Sequence, residues 1–201
     1  EPEPEPAPAG SYSDAVRIEQ RAGKGDALVA ARSFALAAEL FAEEPLLAWS
    51  NPESDRLGRY AFTQRCLQQF RAATPATQQK VLAMYHSPLG SGHPLRKSEA
   101  KLAALLAAEA DNAELPEGVI AQLLATVTTN AHEYHPASGE GAHAALFTVG
   151  CKTNHSCAPN AAFSTRWGDG KQHTHAITEI RRGDELCVCY LDDETLWTTP
   201  R

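Results

Sequence analysis

The segment Asn154-His155-Ser156-Cys157-Ala158-Pro159-Asn160 follows an apolar run, Ala144 to Val149, and gathers amide, imidazole, hydroxyl and thiol groups into one short stretch. Pro159 fixes its own φ and lacks an N–H, while Asn154 and Asn160 can close turns with their side chains. These features predict a rigid loop rather than a passive linker. Cys157 with His155 is a poor nucleophilic pair, because residues two apart in a loop seldom present their side chains to each other without a third group to orient them. A protease is thereby disfavoured, and Cys157 reads as a small buried residue.

Four other places could carry chemistry. Gly23-Lys24-Gly25 supplies two residues free to adopt positive φ and one cation that can offset a carboxylate; by itself it reads as a hairpin turn. Asn130, in Thr129-Asn130-Ala131-His132-Glu133-Tyr134, reads either as a ligand-binding amide or as the C-cap of a preceding helix. His132 and His135 lack a third ligand at a helical or knuckle spacing, so they read as solvated surface histidines rather than metal ligands. Tyr190 closes the run Gly183 to Leu191, and its period-two partners Leu186 and Val188 would make it a core aromatic on pattern alone. A zinc module built from Cys151, Cys157, Cys187, Cys189, His173 and His175 fits no finger or ribbon spacing, and no metal is expected.

Positioning these residues requires strands at both ends of the chain and helices between. Residues 1–13, with the run Glu-Pro-Glu-Pro-Glu-Pro, read as a disordered acidic proline-rich tail. Val16 to Glu19 and Ala27 to Ala31 predict a β-hairpin about the turn Arg21 to Asp26. Phe34 to Trp49 reads as a helix on its Ala and Leu content, although Pro45 with Leu46 and Leu47 closes it like a strand.

Residues 51–128 read as a helical insert with four runs: Ser54 to Arg71, Thr74 to His86, Arg96 to Ala110, and one opening at Glu114-Leu115-Pro116. Ser87 to Pro94 divides the set. Thereafter Ala161 to Arg166 and His173 to Thr178 predict a hairpin, and Arg182-Gly183 turns into a strand from Glu185 to Leu191. Strands, helices, then strands again read as an α+β fold, one domain over residues 14–201.

Composition narrows the function. A chain of 201 residues can bury its own core, and its formal net charge of -7 with 18 scattered Lys and Arg disfavours direct nucleic-acid binding. An acidic surface suits a basic peptide instead. No run approaches the eighteen or so apolar residues of a spanning helix, so no membrane is expected. The 5 cysteines are unevenly placed, without a secretion signal, which suggests a reducing compartment, nucleus or cytoplasm.

Asn154 to Asn160 resembles the Asn-His-Ser-Cys-x-Pro-Asn signature of SET-domain protein lysine methyltransferases, most of all those with a helical insert, similar to the SET and MYND type but lacking the MYND finger. Three further elements stand in matching order: Gly23-Lys24-Gly25 near the start, Asn130 before the loop, and Gly183-Asp184-Glu185-Leu186 leading to Tyr190. Ala144-Ala145-Leu146-Phe147 is similar to the family's lead into the loop. The chain departs from the pattern at Ala37-Ala38-Glu39, where a Gly-Asp or Gly-Glu turn is common, and it lacks the cysteines that follow the final Tyr in relatives with a post-SET zinc site.

The resemblance implies a β-fold of short strands and hairpins, with a pseudoknot-like loop threaded by the C-terminal part of the chain. It implies S-adenosylmethionine as cofactor. Gly23, Lys24, Gly25 and Asn130 would hold its methionyl end, and Asn154 with His155 its adenine end. Tyr190 would be catalytic in methyl transfer to a lysine of a protein or peptide, histone or non-histone. The alternative implied by the same resemblance is a catalytically weak SET-like domain serving as a protein-interaction module, since of the residues after the final Tyr only Leu196 and Trp197 could wall a lysine channel.

Overall fold

The computed structural model describes residues 14–22, 25–51, 58–86, 89–90, 92–139, 141, 143–165 and 168–191. Gly23, Lys24, Leu196 and Trp197 lie outside these residues, as does the whole acidic segment 1–13. In chain order the elements are β1 (Val16–Arg21), β2 (Gly25–Ala30), β3 (Glu39–Glu43), β4 (Leu47–Ser50), α1 (Gly58–Ala72), α2 (Pro75–Leu82), α3 (Pro94–Ala107), α4 (Glu117–Asn130), β5 (His132–Tyr134), β6 (His143–Leu146), β7 (Asn154–His155), β8 (Ala161–Thr165), β9 (Gln172–Ala176) and β10 (Cys187–Val188). Single 3₁₀ turns stand at Ala110–Asn112 and Gly150–Lys152. This is an α+β fold, and the described residues divide into two compact units.

The first unit comprises residues 14–44, 148–165 and 171–191. Here β1 and β2 form the expected hairpin, in register from Val16 opposite Ala30 to Arg21 opposite Gly25. The run Ala27 to Ala30 is buried without alternation, as a strand covered on both faces should be. Strands β8 and β9 form the second expected hairpin, Ala161 opposite Ala176 through Thr165 opposite Gln172, and β3 adds to the other edge of β9. Val16, Leu28, Phe34, Leu40, Ile180 and Leu186 belong to one apolar core.

Two expectations are corrected in this part of the chain. Phe34 to Trp49 is not a helix: β3 pairs with β9 and β4 with β6. Ladder bonds and apolar burial override the helix propensity of Ala and Leu, and Pro45 falls between the two strands, where no ladder donor is needed. The C-terminal strand is also shorter than the expected Glu185 to Leu191. Only Cys187–Val188 is strand, with Glu185 making an isolated bridge to Val29.

The second unit comprises Pro45–Phe147 with residues 168–170. Its helices follow their caps. The Thr74 hydroxyl accepts the Thr77 N–H at 3.2 Å ahead of Pro75, and His93 Nδ1 accepts the Leu95 N–H at 3.2 Å ahead of Pro94. Helix α3 therefore opens two residues before the expected Arg96, because the His-Pro pair read as a breaker is its cap. Cys66, Leu67, Phe70, Leu106, Ile120 and Leu123 are each no more than 1% exposed and account for the amphipathic pattern.

Glu99 is buried and reaches Arg59 at 3.3 Å as well as Arg96. Beside the helices, β4, β6 and β5 form a three-stranded antiparallel sheet. None of the described helices is long and apolar enough to cross a membrane.

Candidate functional site

Within the first unit, the conspicuous segment is tied to the strand Cys187–Val188 and its neighbours through Asn154, His155, Ser156 and Asn160. β7 pairs in parallel with β10, Asn154 beside Cys187 and His155 beside Val188. The Ser156 N–H donates to the Val188 carbonyl at 3.0 Å, and the Asn160 N–H to that of Cys187 at 3.2 Å. The Asn160 side chain then behaves as a piece of strand: its Nδ2 donates to the Glu185 carbonyl at 2.9 Å, and its Oδ1 accepts the Cys187 N–H at 2.9 Å. Between them the Ser156 hydroxyl accepts the Ala158 N–H at 3.1 Å, closing a local turn. The predicted rigidity thus has a physical source, a loop whose polar groups are spent on the C-terminal strand.

That strand delivers Tyr190. Its N–H donates to His155 Nδ1 at 3.0 Å, and its hydroxyl donates to the Thr153 carbonyl at 2.5 Å. With Nδ1 accepting, the neutral imidazole carries its proton on Nε2, which lies 3.3 Å from Cys157 Sγ. The His155 and Tyr190 rings are 5.4 Å apart. The core reading of Tyr190 on pattern alone is corrected: the ladder ends at Val188, and Tyr190 beyond it is 59% exposed. Burial of its hydroxyl end pushes the phenol pKa up, with smaller contributions from Cys151 and Cys187. The group therefore stays protonated through neutral pH, suited to orient a partner and not to act as a phenolate base.

Gly25 opens β2 at φ +74°, the left-handed region, and a Cβ built there meets no atom within 4 Å. The turn is joined to the loop. Asn154 Nδ2 donates to the Asp26 carbonyl at 3.3 Å and to Glu185 Oε1 at 2.9 Å, while Lys152 Nζ sits 2.5 Å from Asp26 Oδ2. Glu185 also pairs with Arg21 at 3.3 Å. Gly25, Asn154, His155 and Tyr190 thus belong to one assembly with open space at the glycine turn; Gly23 and Lys24, expected beside them, lie outside the described residues.

Asn130 belongs to the second unit and completes α4 instead of standing in the expected strand, which starts at His132. Its Nδ2 donates to the carbonyls of Thr126 at 2.9 Å and Tyr85 at 2.6 Å, the contacts of a residue fastening a helix end. His132 is not a solvated surface group: burial pushes its pKa down to about 4, and its ring meets Phe147 edge-on at 6.1 Å. His135 is half-buried and lies 3.4 Å from Glu133.

Cys157 is exposed, contrary to the buried reading, because Pro159 and the Ser156 turn hold that part of the loop outward. It also faces His155 in hydrogen-bond geometry, with the orienting third group supplied by the Tyr190 backbone. Cys151 is half-buried instead, and desolvation pushes its thiol up to about 11. Among the described residues no group of three or more His, Cys, Asp or Glu is placed to hold a metal ion.

Sequence reasoning overlooked Asp26, Glu43, Lys152 and Thr153. Asp26 and Lys152 adjoin quoted motifs, but their ion pair joins the hairpin to the 3₁₀ turn 126 residues later and leaves no local signal. Thr153 acts through its carbonyl, and Glu43 through a contact 106 residues distant, neither of which leaves a local signal.

The profile of the SET domain matches residues 25–191, well over half of the chain. The chain belongs to the SET-domain family. Its relatives include human protein-lysine N-trimethyltransferase SMYD5, 33% identical over 76 residues, which is 38% of this chain and 17% of that protein. The mouse SMYD5 protein is 34% identical over 73 residues, 36% of this chain and 17% of its own length. The match thus spans only a small part of these two relatives' length. The SET domain of LSMT, solved bound to lysine and AdoHcy, superposes with a TM-score of 0.50 at 11% identity, covering 91% of this chain and 51% of that one. That likeness is one of fold. At the level of the family, protein lysine methylation is the associated activity.

Proposed function

We propose that this chain transfers a methyl group from S-adenosylmethionine to a lysine side chain of a basic protein or peptide, with Tyr190 as the catalytic residue. The observation that carries the reading is the junction of loop and last strand, where the Tyr190 hydroxyl meets the Thr153 carbonyl beside Asn154 and His155. The residues fit the cofactor: the Gly25 turn leaves open space where a side chain would otherwise intrude, and Asn154 is braced against that turn through Asp26. Gly25, with Asn154 and His155, would hold it, and when bound it would supply an electrophilic methyl group.

The task left to the protein is to deliver a neutral amine in line. Free lysine, with a pKa near 10.4, is neutral in only about one molecule in 2,500 at pH 7, a cost of roughly 4.6 kcal/mol. An apolar surrounding lowers that pKa, and fixed orientation removes much of the entropic barrier. A protonated phenol whose hydrogen is spent on Thr153 keeps its oxygen lone pairs for the amine N–H and so orients the nitrogen without taking its proton. The net charge of -7 favours a basic partner.

Thermal denaturation with and without S-adenosylmethionine tests binding. At a hundredfold over the dissociation constant it should add about 2.7 kcal/mol of stability. Labelled transfer to basic peptides and histones tests turnover. Binding without transfer to any substrate would favour the interaction-module reading, to which the 59% exposure of Tyr190 lends support. Absence of binding would overturn the methyl-transfer reading.

A further inference from the structure

Glu43 ends β3, yet its carboxylate is engaged at the start of the 3₁₀ turn that precedes the loop. Oε2 accepts the Val149 N–H at 3.0 Å, and Oε1 accepts the Gly150 N–H at 2.5 Å. The turn closes with Lys152 N–H to the Val149 carbonyl at 2.9 Å and Thr153 N–H to that of Gly150 at 3.0 Å. Thr153 itself is 1% exposed, and its carbonyl receives the Tyr190 hydroxyl. We infer that Glu43 is a positioning residue for methyl transfer: its two oxygens fix the Val149-to-Thr153 turn and thereby aim the Thr153 carbonyl at the hydroxyl of Tyr190. The inference rests on the catalytic reading of Tyr190.

The chemistry requires a carboxylate. The opening N–H groups of a helical turn have no partner within it, and here two of them converge on one side chain. A glutamine offers one acceptor, so its NH2 would confront an N–H, leaving a donor unmet and pushing the turn aside. Burial raises the Glu43 pKa in spite of the bonds from Val149, Gly150 and Thr148 that lower it. Burial thus disfavours the charged carboxylate, and the backbone donors offset part of that cost. A small displacement of Thr153 would suffice, since misplacement by about 1 Å can cost on the order of a hundredfold in rate.

The experiment is a cycle of Glu43→Gln and Tyr190→Phe, singly and together, with kcat and KM for both substrates. Glu43→Gln should lower kcat about tenfold or more while each KM stays within about twofold. In the Tyr190→Phe background the same substitution should change kcat by less than about twofold, because no hydroxyl remains to be aimed. An equal fold-loss in both backgrounds, or a loss confined to KM, would overturn the inference.

Glu43→Asp, which keeps both acceptors on a shorter stem, should be milder, with a loss that again vanishes beside Tyr190→Phe; it serves if the glutamine variant does not fold. Equal rates for wild type and Tyr190→Phe would overturn the catalytic reading first, and this one with it. Independently of turnover, the carbon-13 resonance of Tyr190 Cζ, sensitive to the hydroxyl's hydrogen bond, should move in Glu43→Gln or Glu43→Asp. An unmoved resonance would contradict the positioning role.

Discussion

The loop from Asn154 to Asn160 and the helices from Gly58 to Asn130 are built on different physics. Each helix is specified within its own stretch, by Thr74 before Pro75, by His93 before Pro94, and by apolar residues at helical spacing such as Cys66, Leu67 and Phe70. The loop has almost no such local support. It is held by Glu185 to Tyr190, some thirty residues later, through the Asn160 side chain, the β7 and β10 pairing and the two bonds of Tyr190. Locally specified structure can change in sequence while keeping its form, whereas a non-local junction constrains particular residues.

If the two regions are independent, damage to the helices should not reach the cofactor. Phe70→Ala removes a ring that is 1% exposed and should cost about 3–5 kcal/mol in urea denaturation. The affinity of the folded protein for S-adenosylmethionine should nevertheless stay within about threefold; a larger loss would mean that the helices shape the cofactor site. Asn160→Ala tests the other side. Leaving the Glu185 carbonyl and the Cys187 N–H unmet should cost about 2–3 kcal/mol, and unlike Phe70→Ala it should also weaken cofactor binding.

Gly25→Val places a β-branched residue at φ +74° and should cost roughly 1–2 kcal/mol in stability. Its side chain also enters the open space at the turn, so the cofactor-induced thermal shift should disappear. An undiminished shift would reduce the glycine to a turn former. Least in magnitude, Ala37→Gly should stabilise by about 0.5–1 kcal/mol, because Ala37 adopts φ 65° against its Cβ, partly offset by the greater freedom of glycine in the unfolded chain. A loss of stability on denaturant titration would show that the Ala37 methyl packs usefully.

Legibility follows the same division. Both hairpins and the four helices were readable because alternation, caps and proline positions are local signals, whereas Tyr190 is singled out only through its resemblance to a family strand. Phe34 to Trp49 misled because β3 and β4 are strands by virtue of β9 and β6, partners more than 90 residues away in sequence. The departure at Ala37 was visible as a missing glycine, and its meaning emerges in the positive φ. Asn130 was read as helix cap or ligand, and its contacts with Thr126 and Tyr85 are those of a helix end. Cys157 misled because no local rule says which way a proline-braced loop presents its thiol.

On the proposed reading, the loop and the last strand meet so that the Tyr190 hydroxyl is placed for methyl transfer. The most direct test is single-turnover methyl transfer by wild type and Tyr190→Phe on a basic peptide substrate, with S-adenosylmethionine affinity measured alongside. Loss of the hydroxyl should lower the rate on the order of a hundredfold or more while cofactor affinity holds within about threefold. Equal rates in the two proteins would contradict the account.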